Sequence, residues 1–443
     1  MTKIYSARWI IPVSSPPIEN GAIAIEGSRI VGVGTREDIA RKYQSTNIQN
    51  FNQSAIIPGL INAHTHLELT AMRGYLENEE SDFFAWLRKL TVARLERMTP
   101  DDIQVSATWG ACEAARAGIT SVGDASDSAA MSMAALKAVG LRGIVFQESF
   151  GPDPRLVGEN VAKLKTKVAQ LREIGSDLVK VGVSPHAPYT VCGSQLELIA
   201  EFAITEGLPV MMHAAESAAE ELFVREGSGI FADGLAKREI EWAAQGISTI
   251  QYLKKRNVLA TRPLLAHCIR VDDADIETLA ETNSKVAHCP KSNAKLGHGR
   301  APFVKFLAHD IDIGLGSDSV ASNNTCDILE ESRFAALIAR SDGPVSAQDV
   351  LSAATVGGAA CLGMKSAIGE ITEGAQADIA VLSLGGSHQV PIYDPVMTTI
   401  FSSSGRDVLM TVVAGQEIYK DGCVLTVDEE RLRARMGEIS AKL

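Results

Sequence analysis

LINAHTH, residues 60–66, is a short apolar run ending in two histidines two places apart, and seven further runs of similar character follow it. They are ITSVGDA (119–125), RGIVFQES (142–149), VKVGVSPHAPY (179–189), PVMMHAAE (209–216), PLLAHC (263–268), KVAHCP (285–290) and IDIGLGSD (311–318). Alanine-rich stretches of helical period, such as AAMSMAALKAVG and ENVAKLKTKVAQLREIG, separate several of them. Strand–helix alternation implies parallel strands joined by helical crossovers. Eight such repeats favour an α/β fold with a closed (β/α)8 barrel of the TIM type, although pattern alone also suits an open doubly wound sheet.

Outward from this block the pattern changes. Residues 1–57 hold alternating runs such as AIAIEGSRIVGVG, and the same short-strand, glycine-turn character returns in ADIAVLSL (377–384) and VLMTVVAGQEIYKDGCVL (408–425). The reading is a barrel over residues 58–368 and a small composite β-sandwich domain built from 1–57 plus 369–443.

The chain of 443 residues has ample material for a buried core, and its 46% hydrophobic and 22% charged residues are those of a globular enzyme. A net charge of −12 without a basic run argues against a nucleic-acid partner. Seven scattered cysteines, without C-x-x-C spacing, suit a reducing compartment. The amino-terminal segment lacks a signal-peptide core, and no run reaches the ~18 apolar residues of a membrane span, so no membrane partner and a cytoplasmic location are expected.

Five of the nine histidines fall in or at the carboxyl end of a proposed strand: His64, His66, His186, His213 and His267. One strand histidine is commonly a satisfied core residue; five together at the barrel face where active sites form are not. His64 and His66, two apart, share one side of a strand. Asp318 ends the eighth run, and with His64, His66 and His213 it offers three nitrogens and one oxygen, an open site for one divalent ion, zinc first and iron or manganese next. Glu216, three residues beyond His213, can carry a proton between water and a leaving nitrogen, and His267 with Asp318 can orient the water. His186 faces substrate in this reading. His288 has a structural reading at equal weight, and neither it nor His298 receives a role.

The blocks PGLINAHTHLE, SPHAPY, HAAE, LAHC, HCPKSNAKLGHG and LGSDSVASNN, in this order, resemble the amidohydrolase superfamily. The likeness is closest to its deaminases of adenosylhomocysteine, methylthioadenosine and aminodeoxyfutalosine, and extends to the triazine hydrolases. It implies that His64, His66, His213 and Asp318 ligate one metal and that Glu216, His267 and Asp318 are catalytic. It also implies substrate contacts from His186, Arg155, Gln147, Trp86 and Glu68, a small-molecule substrate and a homo-oligomer. Lys180 opens its strand instead of ending it, which removes the carboxylated lysine of binuclear relatives. An ungapped reading from Trp86 places Leu95 where adenosylhomocysteine deaminases carry a ribose-binding glutamate; of their two carboxylate-binding arginines, one matches Arg155 and the other falls at Gln147. The resemblance therefore points to an adenine-type nucleoside deaminase, with aminodeoxyfutalosine of menaquinone biosynthesis favoured. The alternatives are adenosylhomocysteine, methylthioadenosine or adenosine as substrate, a triazine or cyclic-amide hydrolase, and a scaffold protein that has kept the barrel without its chemistry.

Overall fold

The computed structural model describes residues 2–44 and 47–443. All eight runs form strands. Leu60–Thr65, Ile119–Ser126, Arg142–Ser149 and Val179–Pro185 make one parallel quartet; Met211–Ala214, Leu264–His267, Lys285–His288 and Ile313–Leu315 make the other. Isolated parallel bridges join the quartets at both seams, Val183 with Val210 and Thr65 with Asp318. Backbone bonds of 3.0 Å from Val183 N to Pro209 O and from Asp318 N to His64 O complete the ring. At the second seam the chains come so close that a Cβ on Gly316 would fall 2.9 Å from the His64 carbonyl oxygen, which requires glycine there.

Side-chain alternation sorts the strands into two layers. Ile61, Ala63, Ile144, Phe146, Met211, Leu264, Ala266 and Ala287 fill the barrel interior. Val122, Val145, Val181, Val183, Met212, Leu265 and Val286 face the surrounding helices. The helices carry the signals expected of them: Thr99 and Asp102 form a capping box at Pro100–Arg116, and Gly140, with φ 86°, ends Ala129–Val139 in the left-handed conformation. The fourth strand stops at Pro185, short of the expected 189, because proline brings no N–H to the ladder. His186 therefore lies in the turn above the strand.

The chain ends build one nine-stranded sheet, in which Ser54–Pro58 pairs antiparallel with Ile379–Ser383 and so joins the two ends. Tyr5 Oη donates to Glu417 at 2.8 Å, although three strands lie between theirs. At about 4.8 Å per strand a flat sheet would separate them by about 19 Å. The sheet must therefore curl, and its inner face encloses its own core of Tyr5, Ile23, Ile25, Ile56, Val381 and Met410. A bidentate pair fixes this unit to the barrel: Arg142 Nε and Nη2 donate to Asp378 at 2.7 and 3.1 Å. The final helix, Glu429–Lys442, leaves the sheet and lies on the barrel helix Pro100–Arg116, where Lys442 Nζ meets Asp102 at 2.9 Å. We propose the division into 58–368 and 1–57 plus 369–443 for these interlocked units.

Candidate active site

The strand ends converge as the sequence implies. His66 Nε2 lies 3.2 Å from His213 Nε2. Asp318 Oδ1 is 3.5 Å from His64 Nε2 and 3.6 Å from His66 Nε2. His64, His66 and Asp318 form one group of potential ligand atoms within 4.8 Å, and His64, His213 and His267 form another. All five side chains are buried.

Strand geometry alone would not aim them this way. Pairing slips between Asn62 and Thr65, a bulge that lets His64 turn to the interior methionine, Met211, beside the equally inward Ala63. On the sixth strand Leu265 faces outward, so simple alternation would send His267 out as well; instead His267 adopts φ 75° and Cys268 φ 46°. Ala215 and Asp318 are likewise left-handed, at φ 52° and 53°. Such strain in residues with a Cβ persists where surroundings over-determine it. The Glu220 carboxylate accepts from Ala215 N at 2.8 Å and Glu216 N at 3.0 Å, and the N–H groups of Ile269 and Arg270 both bond Ala215 O at 2.8 Å.

A second layer sets the ring orientations. His213 Nδ1 is 3.0 Å from His186 O, and His267 Nδ1 is 2.9 Å from Asn293 Oδ1. Ser292 and Ser322 hydroxyls donate to Asp318 Oδ2 at 2.6 and 2.9 Å, leaving Oδ1 toward the histidines. Burial holds His66 down to about 3 and lowers His64 and His213 as well, so these imidazoles are neutral ligands at pH 7. Burial alone would raise Asp318, but the close approach of His64 at 3.5 Å and the charge of His267 hold it well below the usual carboxylate range. The Nε2 atoms of His64 and His267 are buried without a hydrogen-bond partner. Orphaned nitrogens, neutral imidazoles and one ionised carboxylate suit a divalent metal ion, and we propose that His64, His66, His213 and Asp318 would hold it.

Glu216 stands beside this group. Its Oε1 is 3.6 Å from His267 Nε2 and 3.7 Å from His298 Nε2, and burial raises its carboxyl above the ordinary range. Above the cluster opens a cavity of about 680 Å³, walled by Phe83, Trp86, Leu87, Phe150, Tyr189 and Phe231. That is the size of a small-molecule site.

The expected substrate contacts divide. His186 and Trp86 line the cavity. Glu68 also lines it, but its carboxylate already accepts from Arg94 Nη1 at 2.9 Å, Ser126 Oγ at 2.5 Å and Ser128 N at 3.1 Å. Gln147 lies behind the wall, its amide donating to Asp127 O and Glu148 O at 2.9 Å each. Arg155 is exposed and forks onto Asp153, and it does not reach the cavity; it sits in a short helical turn, Pro154–Leu156, beyond the third strand. His288 points to the outer layer against Phe303, 5.4 Å between centroids. Asn293, His298, Glu148 and Arg94 escaped the sequence reading. For Glu148 the signal was present: it shares the parity of inward Ile144 and Phe146, whereas Gln147 shares that of outward Val145.

Residues 55–418 match the amidohydrolase family. A 5-methylthioadenosine/S-adenosylhomocysteine deaminase of Pyrococcus horikoshii is 32% identical over 415 residues, 93% of this chain and 93% of the relative. A protein of the same name from Nitratidesulfovibrio vulgaris is 31% identical over 422 residues, 94% of this chain and 90% of the relative. Among solved structures, an adenosine deaminase from Xanthomonas campestris with bound zinc superposes with a TM-score of 0.88 at 26% identity, over 99% of this chain and 98% of its own.

Proposed function

The chain belongs to the amidohydrolase family, as a hydrolase of carbon–nitrogen bonds other than peptide bonds, and from that premise we propose that it deaminates an adenine-type nucleoside to its hypoxanthine form with release of ammonia. The observation that carries this reading is Glu216: a buried carboxyl outside the ligand set, within 3.6 Å of His267 and at the edge of a cavity large enough for a nucleoside. His64, His66, His213 and Asp318 would hold one divalent ion, for which we favour zinc, and when bound it would supply the Lewis acidity that makes water nucleophilic near neutral pH. Asp318 and His267 orient that water and accept its proton. Glu216, its proton retained by burial, protonates the purine ring nitrogen as C6 is attacked; the proton taken from water by Asp318 and His267 then goes to the departing amine, and the C6 hydroxyl returns a proton to the Glu216 carboxylate as the carbonyl forms. Phe83, Trp86 and Phe150 offer flat apolar faces to the base.

For the 5′ substituent, the exposed position of Arg155 speaks against a free amino-acid tail, which supports aminodeoxyfutalosine over adenosylhomocysteine. Methylthioadenosine is the second reading, favoured by the apolar cavity mouth and by the relatives' names. Cytoplasmic location and a homo-oligomeric state complete the proposal; no helix among the described residues is long and apolar enough to cross a membrane. The test is ammonia release and the adenine-to-hypoxanthine absorbance change on adenosine, methylthioadenosine, adenosylhomocysteine and aminodeoxyfutalosine, with zinc-loaded protein. Turnover of at least one is expected, and failure on all four sinks the reading.

A further inference from the structure

Outside the ligand cluster, Glu148 is a buried carboxyl of the cavity wall that none of the roles above uses. It is 5% exposed, lines the cavity, and its Oε1 has no hydrogen-bond partner. Its neighbour Arg94 gives it no direct bond: the Arg94 guanidinium is engaged by Glu68 at 2.9 Å and Asp127 at 3.2 Å. His186 Nε2, on the same wall, is 4.0 Å away and too far for a hydrogen bond, and the ligand atoms of Glu148, His186 and His213 all lie within 4.8 Å of one another.

The His186 tautomer follows from its other nitrogen. Nδ1 is 2.9 Å from Thr190 Oγ1, and that hydroxyl spends its proton on Ala187 O at 3.1 Å, so it can only accept from Nδ1–H. Nε2 is then a bare acceptor turned to the same space as the Glu148 carboxyl. Two atoms that need partners, set 4.0 Å apart on one wall, call for a ligand bringing two donors on adjacent atoms. Phosphate or carboxylate groups would meet acceptors and the acidic side chains of Glu68 and Asp127. Vicinal hydroxyls fit, because each can donate to Nε2 or to a carboxylate and can also accept should Glu148 keep its proton. The His186 ring packs on His213 at 4.7 Å between centroids, so a base held over His213 reaches this wall with its sugar.

We propose that Glu148 is the residue by which this site selects a ribonucleoside, its carboxyl and His186 Nε2 together holding the 2′ and 3′ hydroxyls. This rests on the deaminase reading. The experiment measures kcat and KM of the zinc-loaded protein for adenosine, 2′-deoxyadenosine and 3′-deoxyadenosine, in wild type, Glu148→Gln and Glu148→Ala. Wild type should lose about tenfold or more in kcat/KM with either deoxy substrate, the usual cost of stranding buried polar groups. Glu148→Ala should bring the ribose-to-deoxyribose ratio toward one, mainly through a higher KM for adenosine, with zinc content unchanged; Glu148→Gln should fall between. A purely structural role would lower all three substrates alike and leave the ratio intact, which overturns the proposal, as does a wild type that treats the three equally. If Glu148→Ala fails to fold, the wild-type ratio and Glu148→Gln decide. If no nucleoside is turned over, the deaminase reading has failed; thermal protection of wild type by inosine against 2′-deoxyinosine then reads sugar selection by itself, and equal or absent protection overturns it.

Discussion

His267 Nε2 faces Glu216 Oε1 across 3.6 Å, a gap that holds the two side chains in reach of one shared proton or water without a direct hydrogen bond. Because Glu216 lies outside the ligand set, Glu216→Gln should cut kcat by about 10²–10⁴ while zinc per chain stays at the wild-type level. A variant with full turnover would remove Glu216 from the chemistry.

Asn293 determines which way the His267 ring faces, through its Oδ1 at 2.9 Å from Nδ1. Asn293→Ala should lower kcat by about tenfold to a hundredfold and leave KM nearly unchanged, as loss of an orienting partner does. A change confined to KM would point to a contact with substrate instead.

His213, one of the four proposed ligands, stacks on His66 at 5.2 Å between ring centroids. His213→Ala should lose both bound zinc, read by elemental analysis, and turnover. Added zinc should raise the wild-type Tm and leave that of the variant where it was, since only a state that binds the ion is stabilised by it.

Glu331 is buried beneath the site, accepting from Asn323 Nδ2 at 2.6 Å, and burial pushes its carboxyl up to about 8 from an ordinary 4.5. The folded chain thus keeps a proton that the unfolded chain releases. Its contribution to stability is complete below about pH 4.5 and is lost as pH rises through 8. Glu331→Gln, neutral throughout, should gain on wild type by about 2–3 kcal/mol between pH 6 and 8 at about 1.4 kcal/mol per unit. Urea denaturation at both pH values reads this; parallel curves would refute it.

Arg142 and Asp378 form a buried fork between barrel and curled sheet, and Asp378 also accepts from Ala414 N at 2.7 Å. Arg142→Met should cost about 3–5 kcal/mol of unfolding free energy, because it strands a buried carboxylate. A loss below 1 kcal/mol would mean that Asp378 finds water or a proton at no cost.

The strands and the convergence of His64, His66, His213, His267 and Asp318 were legible because both are written locally. Apolar runs mark buried parallel strands, and histidines at their ends have no packing reason to recur. What escaped depends on distance or on backbone twist. Asn293 and His298 sit in the HCPKSNAKLGHG segment beyond the seventh strand and meet their partners only after the barrel has closed. The inward turn of His267 needs a left-handed backbone that no propensity announces. Arg155 looked like an anion receptor by its place in DPRLVGEN, but Asp153, two residues earlier, satisfies it first. Glu148 could have been read from strand parity.

The bridge between Thr65 and Asp318 gives the catalytic centre a second duty. His64, His66 and Asp318 belong to the first and last staves of the cylinder, so an ion held among them would clasp its final joint. Any fluctuation that parts those two edges pulls the ligands away from one another. Loss of that closing contact would therefore take metal binding and turnover with it.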